Sequence, residues 1–197
     1  MIASIRKFAF AAALVAAGGC YDEPVSASKT VPPENRVYMK DSGLTSVPAG
    51  INRNADYLNL DRNRITNAVN VAALTELKWL RLNDNKLRNL PDLKGLSKLR
   101  RIYLRNNLFA SVPMALKDLP ALTDVDLSGN PIREIPVWLA EKKGLKNLSF
   151  SRTQIVRLPD NLEAWQTLQS LQLGELRISA QEMARIRKAL PKVAIVF

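Results

Sequence analysis

Histidine is absent from these 197 residues, and cysteine occurs once, at position 20. Without histidine, the chain lacks the side chain best matched to proton transfer near neutral pH. A lone cysteine forms no disulfide within the chain, and no His/Cys cluster with metal-ligand spacing can be drawn. Glycine is scarce at eight residues, and only Gly18 and Gly19 adjoin, so there is no Gly-rich phosphate loop. Long apolar runs are missing too: residues 8–17 are followed at once by Gly18-Gly19, and ten residues are too few to span a bilayer. Paired carboxylates do occur at Asp124 and Asp126. Glycosidases work with such pairs, but two residues apart on a strand both point to one face, and nothing in the sequence puts them in a pocket. The expectation is a chain that is not an enzyme and needs no metal or cofactor.

What the sequence has instead is a repeat. Residues 77–87 read L-x-x-L-x-L-x-x-N-x-L, and the same frame returns as Leu99, Ile102, Leu104, Asn107, Phe109 and as Leu122, Val125, Leu127, Asn130, Ile132. It recurs as Leu145, Leu148, Phe150, Thr153, Ile155 and, more loosely, as Leu168, Leu171, Leu173, Leu176, Ile178. Upstream are Ala55, Leu58, Leu60, Asn63, Ile65 and a degenerate first copy with Val37, Met39, Ser42, Leu44. The Asn position falls at 42, 63, 85, 107, 130, 153 and 176, in steps of 21 to 23. The L-x-L core alternates as a short strand with one buried face must. The Asn follows where the chain has to turn, and a buried amide there can satisfy backbone groups of its own and the neighbouring coil. That predicts a ladder of Asn63, Asn85, Asn107 and Asn130, a hydroxyl substitute at Ser42 and Thr153, and an end at Leu176.

A second repeat keeps the same phase: Val47-Pro48, Leu90-Pro91, Val112-Pro113, Ile135-Pro136 and Leu158-Pro159. Proline fits the first turn of a short helical segment and not a central strand. Each copy thus reads as a strand, a turn and a 3-10 or irregular return. The copy around Ile65 has Ala68-Val69 in place of the proline motif, so its return should differ. No copy can bury its apolar face alone, so the copies must stack.

Over residues 36–178 this pattern resembles the leucine-rich repeat family. The resemblance implies an α/β solenoid of about seven repeats, curved, with a parallel concave sheet and short 3-10 or irregular convex segments. Residues 179–197 read as a C-terminal helix–strand cap. Ser179-Ala180-Gln181-Glu182 is a capping-box start. Met183, Ile186 and Leu190 then share a face, Pro191 stops the helix, and residues 193–197 form a last strand over the open end. Arg185, Arg187 and Lys188 read as a face that meets water.

At the other end, Arg6 and Lys7, the apolar run and Gly18-Gly19-Cys20 describe a secretory signal over residues 1–19. Cys20 after Ala-Gly-Gly resembles the lipobox of a bacterial lipoprotein, with Ala17 where Leu, Val or Ile is commoner. The resemblance implies that Cys20 becomes the first mature residue and carries acyl chains, palmitate among them. Plain secretion with a cysteine near the cleavage site is the other reading. Tyr21 rather than Asp in the next position points, by analogy, to the outer membrane. Residues 20–35, rich in Ser and Pro, read as a tether or as a start with no role. Secreted eukaryotic repeat proteins of this family carry disulfide-bonded caps; a chain without disulfides fits a bacterial cell envelope. The charge of +11, or +9 without Arg6 and Lys7, favours acidic partners in general.

Function is expected on the concave face, where Tyr57, Trp79, Arg81, Arg101, Tyr103 and Arg105 fall in adjacent coils, ~5 Å apart by strand spacing, followed by the acidic pair Asp124 and Asp126. Tyr, Trp and Arg are the residue types most enriched at binding hot spots. The reading is a lipid-anchored envelope scaffold for a protein or peptide partner. The alternative is an acidic envelope glycan or lipopolysaccharide, or a structural role. Nucleic acid is not expected for an exported chain.

Overall fold

The computed structural model describes residues 35–197. The signal reading, Cys20 and all but the last residue of the tether lie outside the described residues. Eight strands are present: β1 (Arg36–Tyr38), β2 (Tyr57–Asn59), β3 (Trp79–Arg81), β4 (Arg101–Tyr103), β5 (Asp124–Asp126), β6 (Asn147–Ser149), β7 (Ser170–Gln172) and β8 (Ala194–Val196). They pair in chain order as one parallel sheet. Seven come from the seven repeats and the eighth from the cap.

The register sets equivalent residues side by side. Val37, Leu58, Leu80, Ile102, Val125, Leu148, Leu171 and Ile195 form one row. Its six interior members are buried, while Val37 and Ile195 at the two edges are half-buried. Leu60, Leu82, Leu104, Leu127, Phe150 and Leu173 make a second buried row. Truncating one such leucine to alanine costs about 2–5 kcal/mol, because the removed side chain is a contact for two neighbouring coils as well as its own.

The asparagine ladder forms as expected. Asn85 accepts from the Ile65 N–H (2.9 Å) and donates to the carbonyls of Leu60 (3.0 Å), Leu82 (3.1 Å) and Asn83 (3.0 Å). Asn107 and Asn130 repeat this one and two coils on. Asn63 does the same for Ser42, Leu44 and Met39. Each amide therefore serves the coil before its own. Thr153 keeps the local half, donating to the Phe150 carbonyl at 2.8 Å, whereas the exposed Ser42 hydroxyl donates to Lys40 O. Leu176 packs against the core.

Backbone geometry adds a row that the sequence did not announce. The residue just before each Asn position has a positive φ: Asp41 (55°), Arg62 (56°), Asp84 (56°), Asn106 (52°), Gly129 (67°), Arg152 (56°) and Glu175 (60°). Only one of the seven is glycine, although a side chain in this region costs about 1–2 kcal/mol.

The returns differ from expectation in one respect. Pro113 and Pro136 do not sit in the first helical turn. They precede it in extended conformation (φ −61°, ψ 124° and φ −69°, ψ 146°), as N-caps of a 3-10 turn, Met114–Leu116, and of a short helix α1, Val137–Glu141. An extended backbone before the helix lets the chain cross from strand to return without a further turn. The proline-free copy does differ: it forms a five-residue 3-10 turn, Val69–Ala73, and Asn67 Oδ1 accepts the Val69 N–H in the entry bend.

The cap is a helix α2 (Ala180–Ala189) followed by β8 against β7. Ser179 Oγ accepts the Glu182 N–H, the first half of a capping box. The second half does not form. Glu182 instead accepts from Leu158 N (2.9 Å) in coil six and from Arg185, which also donates to Leu158 O at 2.8 Å. Arg185 therefore does not belong to a solvent face; it clips the cap to the preceding coil. Arg187 lies over the Phe197 ring, 5.0 Å to the centroid, and Lys188 is exposed. Among the described residues no helix is long and apolar enough to cross a membrane.

Candidate binding face

Three-residue strands leave two outward side chains each, and the residue after the strand adds a third. The register turns these into rows. Arg36, Tyr57, Trp79, Arg101, Asp124, Asn147 and Ser170 form the first; Tyr38, Asn59, Arg81, Tyr103, Asp126, Ser149 and Gln172 the second. Parallel strands in register stack like positions ~4.8 Å apart, so neighbouring rings and guanidinium groups touch.

Across β1–β4 the rings form a chain that enters the first row at Tyr57 and Trp79 and returns to the second at Tyr103. Tyr38 and Tyr57 have centroids 5.2 Å apart, Tyr57 and Trp79 5.1 Å at 87°, and Trp79 and Tyr103 5.8 Å at 71°. The last two are edge to face, and such contacts add about 0.5–1.5 kcal/mol each beyond area burial. Guanidinium groups cover the ring faces: Arg101 over Trp79 (4.9 Å), Arg36 over Tyr57 (5.7 Å) and Arg81 over Tyr103 (5.9 Å).

The eight expected face residues have unequal standing. Trp79, Arg81, Arg101 and Tyr103 come together and remain accessible, with Arg101 the most open at 44% side-chain exposure. Tyr57 is brought into the same cluster but is only 8% exposed, roofed by Tyr38, Trp79 and Arg36. It supports the surface and does not form it. Arg105 is half-buried, with the Asn83 side chain accepting its backbone N–H at 2.9 Å. Asp124 joins the cluster loosely: its carboxylate is 3.9 Å from Arg101 Nε, while Asn147 Nδ2 donates to it at 2.6 Å. Asp126 is half-buried and engaged along its own strand end, accepting from the N–H and hydroxyl of Ser128.

Two residues outside the expected set matter as much. Asp61, 3% exposed, accepts from Arg81 Nε (2.7 Å) and from the Asn83 N–H (2.8 Å), and its own N–H is held by Asn59 Oδ1 (3.0 Å). Its sequence signal was its place two residues beyond the strand in the coil before Arg81, a diagonal neighbour across the sheet. Tyr38, 54% exposed, opens the ring chain at the N-terminal edge.

The electrostatics keep the face cationic. Burial works against the Arg81 charge, but Asp61 beside it prevails and holds the guanidinium pKa above its ordinary value. Burial raises the phenol pKa of Tyr57, with the nearby Arg81 opposing it, and burial followed by Asp124 raises that of Tyr103. Both hydroxyls therefore stay protonated donors through neutral and mildly basic pH. The Trp79 indole N–H is buried without a hydrogen-bond partner, a cost of about 1–3 kcal/mol. Coils six and seven present small neutral side chains: Asn147, Ser149, Ser151, Ser170 and Gln172.

Residues 75–132 match the family described as leucine rich repeat. No curated protein matches the chain. Among solved structures, an internalin from Listeria monocytogenes is similar, with 18% identity and a TM-score of 0.57 over 74% of this chain and 50% of that one. This chain thus spans about half of that protein's length. At such identity the likeness concerns architecture alone, and the architecture is the leucine-rich-repeat solenoid.

Proposed function

We propose that this chain is a non-enzymatic binding scaffold that engages a polypeptide partner through the outward face of β1–β4. We further propose that it stands in the bacterial cell envelope, held at the outer membrane by acyl chains on Cys20. The carrying observation is the contiguous cluster of Trp79, Tyr103, Arg81 and Arg101 on one sheet face, each side chain held by a ring or carboxylate neighbour. Rigid aromatic and arginine groups lose little freedom on contact, which is why they dominate interface energetics. Repeats of this kind display long open faces that suit extended partners.

The test is a crosslinking capture from envelope fractions, comparing wild type with an Arg101→Ala/Tyr103→Ala variant. Wild type should yield a defined polypeptide that the variant does not, while both give the same far-UV circular dichroism spectrum. Equal capture by both would remove the face from the reading. For the anchor, a clickable palmitate analogue should label wild type and not Cys20→Ser; an unlabelled wild type ends that part.

A further inference from the structure

The rings on β1–β4 invite a sugar, which stacks on open aromatic faces, yet beyond the open Tyr38 at the edge their geometry leaves it no platform. Tyr57, Trp79 and Tyr103 meet edge to face, and the faces left over are covered by Arg36, Arg101 and Arg81. A guanidinium lying on a ring has its faces occupied and its in-plane N–H edge still available. That edge is the fork that matches a carboxylate. In Arg81 the Nε corner is already used by Asp61, which fixes the side chain's direction. In Arg101 the carboxylate of Asp124 is near but loose, at 3.9 Å.

Charge agrees with this geometry. The outward positions of the first four coils carry Arg36, Lys40, Arg81, Arg101 and Arg105 against one carboxylate, Asp61, which is buried. The next coil reverses the sign with Asp124 and Asp126.

Building on the reading of this face as a binding surface, we infer that its occupant is an acidic polypeptide segment whose Asp and Glu side chains are received by ring-stacked Arg81 and Arg101. A ligand carboxylate displaces Asp124 from Arg101. The Asp124/Asp126 pair marks where the acidic segment must end, since a further carboxylate there meets like charge.

A fluorescein-labelled deca-glutamate peptide tests this against the full-length protein by fluorescence anisotropy, with polyphosphate and heparin as competitors. Saturable binding is expected. Arg101→Lys, which keeps the charge but loses the fork and much of the stacking, should weaken it about tenfold. Asp124→Asn, which keeps the shape and removes the competing charge, should tighten it about two- to threefold. Arg133→Lys, an exposed arginine off this face, should leave it unchanged. The inference is overturned if the peptide does not saturate, if Arg101→Lys binds as well as wild type, or if polyphosphate of matched charge displaces the peptide more effectively than unlabelled deca-glutamate does. Such a result alongside undiminished capture of a partner by wild type, lost in Arg101→Ala/Tyr103→Ala, rejects the carboxylate chemistry alone. Loss of both rejects the face as a binding surface.

Discussion

The first four coils and the last three share a register, a buried row and a strand length, yet they are held together differently. In coils two to five, side-chain amides of Asn63, Asn85, Asn107 and Asn130 bridge each turn to its predecessor. In coils six and seven the amide gives way to Thr153 and Leu176, and order there leans on the clip of Glu182 and Arg185 to Leu158. Outside, the contrast is sharper: rings and guanidinium groups on β1–β4, small neutral side chains on β6 and β7. Inward positions answer to neighbours on both sides, so the repeat holds them nearly constant. Outward positions answer only to one another and to whatever they bind.

Five substitutions, and one pH series with its own variant, would break or sharpen that contrast. Asn85→Ala strands the Ile65 N–H and three carbonyls in a buried turn and should cost about 3 kcal/mol or more. Thr153→Ala should cost about 1 kcal/mol, and urea midpoints compare the two. If they are equal, the amide ladder is not what distinguishes the halves. Asp61→Ala leaves the Arg81 charge half-buried without its partner and frees the Asn83 N–H, for about 2–3 kcal/mol. Acid should act on the other half. The Arg185 hydrogen bond, ahead of the Leu158 N–H, depresses the Glu182 pKa below its ordinary 4.5. A depressed folded-state pKa adds stability that is present above 4.5 and is lost as pH falls through the folded value. Hydrogen exchange at the Leu158 amide should therefore accelerate at pH 3 beyond its intrinsic change, while the Ile65 amide does not. Glu182→Gln should abolish that difference. Arg152→Gly relieves a left-handed residue in the amide-free half and should stabilise by about 0.5–1 kcal/mol in thermal melts. Smallest of all, Trp79→Phe removes a buried orphan donor and some packing together, leaving stability within about 0.5 kcal/mol of wild type.

Much of this was legible in the residues because the repeat states its own rule seven times. The buried rows, the amide ladder and the cap helix follow from spacing. The left-handed row did not, because Arg62, Arg152 and Glu175 carry no sign of the φ they adopt; the turn keeps that φ whether Asn63, Thr153 or Leu176 follows. Tyr57 sits in an outward row and is nonetheless buried, since strand alternation gives direction, not cover, and its roof is built by residues of both flanking strands. At Glu182 the local S-x-x-E pattern lost to a distant competitor. Leu158 N–H lies buried one coil away and needs an acceptor more than the exposed Ser179 backbone does. The candidate face was visible in kind, as Tyr, Trp and Arg in adjacent coils, but Asp61 and Tyr38 emerged only once the diagonals of the sheet were known.

The amide ladder also has a direction. Ile65 waits for Asn85, Leu87 for Asn107 and Phe109 for Asn130, each some twenty residues downstream. While these coils emerge from the ribosome, the last of them therefore ends in a turn whose partner has not yet been made. Shortening the finished protein from its C-terminal side reopens a turn wherever the cut removes Asn85, Asn107 or Asn130 and leaves the coil before it, whereas trimming from the N-terminal side takes each turn away before the amide that served it.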